Sequence, residues 1–152
     1  MGMVSLIVME PGSHWPGHVR GSNNVVAVGH EEGGLVERTR DTLASLRQRG
    51  QQVRVAVLAC NDATDVASLV RRTQLVRELL TAVAATRFGR VVLSSAQRAS
   101  TEARRELLSL AGALTHTLRG ASVQVTFTPG RPSPADGARI NLGSRRRLLA
   151  GG

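Results

Sequence analysis

The chain has 152 residues, a formal net charge of +9 and one cysteine. That length supports one domain with its own core, a lone cysteine excludes an internal disulfide framework, and no apolar run approaches the roughly 18 residues of a membrane span. The N-terminus has neither a positive flank nor a small-residue cleavage site before Glu10-Pro11, so a cytoplasmic location without membrane association is expected.

Every basic residue is Arg and none is Lys, the pattern a GC-rich coding bias produces. The arginines are spread over several segments, and the aromatics are Trp15, Phe88 and Phe127 alone. Base stacking therefore has few candidate residues, and the composition favours a solvated basic surface over a nucleic-acid site.

In chain order, Met3 to Met9 is a short apolar run that reads as the first strand. Residues 10 to 24 are dense in Gly, Pro and Asn and read as a loop. Val25 to Gly29 is a second, buried strand that runs into His30-Glu31-Glu32-Gly33-Gly34. From Leu35 to Arg49, Val36, Thr39, Leu43 and Leu46 fall at helical spacing, and Gly50 stands where a left-handed cap ends a helix.

Val53 to Ala59 is the central strand, and it ends on Cys60. Asp62, Thr64 or Asp65 can cap the next helix, whose expected buried face is Val66, Leu69, Val70, Thr73, Val76, Leu80 and Val83, running to about Arg87. Phe88-Gly89 turns the chain into a strand over Arg90 to Ser95. A helix from about Thr101 to Leu118 follows, with Ala103, Leu107, Leu110, Ala111, Leu114 and Leu118 inward. Ser122 to Thr128 alternates, with Val123, Val125 and Phe127 on one side, as suits a half-exposed edge strand. Residues 129–152 are rich in Pro, Gly and Arg and are expected to form a flexible tail beyond a single domain of residues 1–128.

Strands alternating with helices over residues 25 to 128 imply an α/β three-layer sandwich with a mostly parallel sheet and helices on both faces. The carboxyl ends of parallel strands share one rim, where ligands and catalytic groups collect. His30, Cys60, Ser94 and Ser95 are expected on that rim, with Gly33, Asn61 and Asp62 in the adjoining turns as substrate-binding candidates. The loop over 10 to 24 holds no helix, so the first strand could be parallel or antiparallel to the second.

Val28-Gly29-His30 and Leu58-Ala59-Cys60, each closing an apolar strand, resemble the core of the caspase-like and gingipain-like cysteine peptidases over roughly residues 25 to 95. The resemblance implies a thiol-dependent hydrolase of peptide or protein substrates with Cys60 as nucleophile, His30 as acid/base and no cofactor. A helix N-terminus after Cys60 would help to form the thiolate that such chemistry needs. The competing reading makes Cys60 a small apolar core residue.

Ala59-Cys60-Asn61 is also similar to a segment of the aspartate/glutamate racemases, a family with a second cysteine that this chain lacks. Glu10 to His14 with Gly34 to Glu37 resembles the zinc-dependent N-acetylmuramoyl-alanine amidases, which implies a His and a Glu as metal ligands. A zinc site built otherwise would draw on His14 and His18 with Glu10 or His30 as third ligand. The alternative from another class is a non-catalytic binding or assembly module acting through arginine-rich surfaces and the C-terminal tail. No feature fixes an oligomeric state.

Overall fold

The computed structural model describes residues 2–16, 24–29, 34–115 and 121–128. His18, His30, Gly33, His116, Leu118 and the 129–152 tail lie outside the described residues. The elements are β1 (Met3–Met9), β2 (Val25–Val28), α1 (Leu35–Gln48), β3 (Gln52–Ala59), α2 (Val66–Val83), β4 (Gly89–Ala96), α3 (Thr101–Leu114) and β5 (Ala121–Thr128).

The strands form one sheet in the order β2-β1-β3-β4-β5, and every neighbouring pair is parallel. The open orientation of β1 is thereby resolved: Ile7 pairs with Ala27 on one side and Val57 on the other. The loop after β1 consequently starts from the carboxyl rim, the same rim on which Cys60 and Ser94 lie.

Alternation along each strand separates two apolar faces. Val4, Leu6 and Val8 of β1, Ala56 and Leu58 of β3, and Val91 and Leu93 of β4 share a cluster with Val36 and Leu46 of α1, Leu75 and Leu79 of α2, and Leu107 and Ala111 of α3. All three helices therefore cover the same face. Their placement follows from handedness: β2 to β3, β3 to β4 and β4 to β5 all step in one direction along the sheet, and right-handed crossovers stepping one way fall on one side.

The step from β1 to β2 goes the other way along the sheet. Trp15 is buried on the second apolar face with Ile7, Met9, Ala27, Val57, Ala59 and Val92. The α/β parallel-sheet expectation holds, while the expected helices on both faces are not seen among the described residues, whose three helices pack on one face.

β5 is an edge strand with Val123, Val125 and Phe127 turned to the helix face, as its alternation predicts. α3 is capped by Ser100, whose hydroxyl accepts from the Ala103 N–H at 3.1 Å. α2 is capped by Asp65, the third of the candidate caps, and ends at Val83 rather than near Arg87.

The inward face of α2 differs from its sequence reading. Val66 and Val70 are exposed, whereas Ser68, Arg72, Leu75, Val76, Leu79, Leu80 and Val83 are buried. The helix is rotated by about one position from the most apolar phase, because a charged partner waits for Arg72 beneath it.

Candidate functional site

In an open parallel sheet the crevice for ligands opens at the carboxyl rim, where the connections of two adjacent strands leave in opposite directions. Here that point falls between β1, whose chain goes on to β2, and β3, whose chain goes on through α2 to β4. Glu10 follows β1 and Cys60-Asn61 follows β3, so these residues meet at the switch point.

They do so through a hydrogen-bonded network in which, of the buried side-chain atoms, only Arg72 Nη1 and Arg71 Nε lack a partner among the described residues. The Glu10 N–H donates to the Ala59 carbonyl at 3.0 Å and extends the β1–β3 pairing one step beyond the strands. The Glu10 side chain is buried, and its Oε1 accepts from the Asn61 N–H at 2.8 Å and from Arg72 Nη2 at 2.9 Å. Its Oε2 accepts from Arg72 Nε at 2.8 Å and Arg71 Nη2 at 3.3 Å. Arg72 Nη2 also donates to Asn61 Oδ1 at 2.8 Å, and Asn61 Nδ2 donates to the Pro11 carbonyl at 2.7 Å.

Arg72 is 0% exposed. Burial alone would lower its pKa, but the hydrogen bond to Glu10 and that carboxylate's charge outweigh burial and raise it. Arg72 therefore keeps its charge inside the protein, where two hydrogen bonds to Glu10 and shared partners offset its desolvation. The network ties β1, β3 and α2 together at the rim.

Cys60 precedes Asn61 in the chain. It is 3% exposed and belongs to the helix-face cluster, and its Sγ donates to the Leu58 carbonyl at 3.6 Å. Burial, and next the Glu10 carboxylate, push its pKa well above the usual thiol range, more than Arg72 and Arg71 draw it down. The thiol is neutral, which suits a packed apolar residue and opposes the thiolate that nucleophilic chemistry requires.

No family model, curated protein or solved structure matches this chain. The site must therefore be read from its own residues. Ser95 follows Leu93 on the helix face, next to Cys60, while Ser94 is on the face of Val92; both serines are buried, and the Ser94 carbonyl accepts from the Cys60 N–H at 2.8 Å. Ser95 Oγ has no hydrogen-bond partner. Asp62 is exposed and stands outside the network.

The structure thus brings Glu10, Cys60, Asn61, Ser94 and Ser95 to one rim, as the parallel sheet predicts. Of the zinc candidates, His14 is exposed, and Glu10 is engaged on both oxygens by arginines and a backbone N–H. Among the described residues, no group of three His, Cys, Asp or Glu stands close enough to hold a metal ion. No helix among them is long and apolar enough to cross a membrane.

Arg71 and Arg72 are the members of the network that the sequence reading missed. Their signal was present but faint. Stepping back from Leu79, Leu80 and Val83 by threes and fours through Leu75 and Val76 lands on Arg72 and Ser68. An arginine on that register reads as a break in the apolar face until a buried carboxylate is known to stand opposite.

Proposed function

We propose that the chain is a non-catalytic binding or assembly module, in which the parallel sheet is a scaffold for arginine-bearing surfaces. The observation that carries this reading is the burial of Cys60, which is 3% exposed in the helix-face core, with burial and then the Glu10 carboxylate pushing its thiol pKa up. A thiol hydrolase needs a thiolate within reach of substrate, and burial works against both conditions. The Glu10–Arg72 pair is buried at the switch point where ligands of such sheets bind, and binding is therefore assigned to the outer surfaces. A cytoplasmic setting suits a chain whose one thiol has no disulfide partner.

The test is the alkylation rate of Cys60 against pH in the folded protein and in His30→Ala. The reading expects no reaction of the folded chain until denaturant is added. A fast reaction titrating well below the free value of about 8.5 and dependent on His30 would instead establish the peptidase-like hydrolase.

A further inference from the structure

Phe88, between α2 and β4, is the one non-glycine residue with positive φ among the described residues, at 60°. It is also 79% exposed, whereas Trp15 is buried and Phe127 lies under the Arg104 guanidinium at 4.3 Å. The turn has a local cause. A Cβ on the following residue, Gly89, would stand 2.1 Å from the Val83 carbonyl oxygen and 2.8 Å from Thr86 Oγ1. The chain therefore passes the end of α2 at a distance that only glycine allows, and Phe88 makes the bend before it. That explains the backbone, but leaves unexplained why so large an apolar ring stands in solvent on a conformation that disfavours it.

Its surroundings point to a ligand. Arg87 holds its guanidinium carbon 5.7 Å from the Phe88 ring centroid. Arg90 is exposed at the start of β4, and its register partner Val55 directly follows Arg54, the exposed extra residue of the bulge on β3. Arg47, in the last turn of α1, is exposed at the same amino edge of the sheet. Residues 47–54, 84–90 and 121–122, which build this edge, include no Asp or Glu. None of these four arginines has a carboxylate partner among the described residues.

We infer that this amino edge binds single-stranded nucleic acid, with the Phe88 ring stacked on a base and Arg54, Arg87 and Arg90 on the neighbouring phosphates. A positively charged track interrupted by an exposed aromatic ring is the arrangement such strands use, since every base has a face to stack and every linkage a phosphate to neutralise. A duplex hides its base faces, and an acidic protein would need the arginines without the ring. The inference deepens the binding-module reading and rests on it.

The experiment is fluorescence anisotropy of a labelled oligodeoxythymidylate, longer than the roughly 4–16 nucleotides such sites span, titrated with the full chain at several salt concentrations. Phe88→Gly is expected to weaken binding roughly tenfold, with a melting temperature unchanged or raised because glycine adopts the turn freely, while Phe88→Trp retains binding. Arg87→Ala combined with Arg90→Ala should reduce the slope of log affinity against log salt by about 1.4. Absence of binding at low salt overturns the inference, as does binding that Phe88→Gly leaves intact and heparin displaces equally well. Cys60 alkylation in the same samples separates the two failures. An inert thiol with no oligonucleotide binding removes only the nucleic-acid inference, whereas a reactive thiol of depressed pKa removes the module reading on which it rests.

Discussion

Arg72 of α2 places Nε and Nη2 2.8 and 2.9 Å from the two carboxylate oxygens of Glu10, with both side chains withdrawn from solvent. The contact spans 62 positions of sequence and joins the end of β1 to the helix that follows β3. Removing one partner strands the other charge in the interior. Arg72→Ala should therefore destabilise the fold by about 3–5 kcal/mol, read from the urea midpoint at constant m-value. Glu10→Leu combined with Arg72→Met should recover much of that loss. A deficit of about 1–3 kcal/mol should remain, because the Asn61 N–H loses its acceptor.

Cys60 sets an alkaline limit. Its folded pKa is raised, first by burial and then by the Glu10 charge, above the unfolded thiol's value of about 8.5. Above that pH the unfolded chain releases a proton that the folded chain keeps. The associated stability is complete below about 8.5 and is lost as pH rises toward the folded value. Between pH 8 and 10 the unfolding free energy of the protein should fall more steeply than that of Cys60→Ala, as chemical denaturation at each pH would show.

Two glycines should respond differently to alanine. At Gly89 an added Cβ meets backbone at 2.1 Å, and Gly89→Ala is expected to cost about 3 kcal/mol, the upper end for overpacking. Gly50 has a φ of 73° and open space around it, so Gly50→Ala should cost about 1–2 kcal/mol from backbone strain alone. Thermal melts of the two variants side by side check the order.

The helix caps differ in their response to pH. Ser100→Ala should cost about 1 kcal/mol at any pH, since a hydroxyl cap does not titrate. The Asp65 carboxyl is held below the usual carboxylate range, first by the Ser68 hydroxyl and then by the Ser68 N–H. Its contribution is present above the unfolded value of about 3.9 and is lost as pH falls through the folded value. Asp65→Ala should flatten the acid limb of the stability profile, and Ser100→Ala should leave its shape unchanged.

Much of the rim was legible in the chain. Apolar runs of strand length between helical segments dictated a parallel sheet, and a parallel sheet puts the residues after β1, β3 and β4 on one edge. Asn61 and Ser94 were found in this way. What the residues there do to one another was not legible, because Glu10 and Arg72 look like a loop acid and a surface base until the chain brings them together. The two valines that marked the wrong face of α2, Val66 and Val70, show the same limit: apolar periodicity assigns arginine to solvent, and a buried partner reverses the assignment.

Local sequence therefore determined the order and type of the elements, through strand-forming runs, helical spacing and the glycine at residue 50. Tertiary structure alone decided the orientation of β1, the rotation of α2, the neutrality of Cys60 and the exposure of Phe88. Each of those depends on the dielectric surroundings and on contacts between residues far apart in the chain, neither of which a local pattern carries.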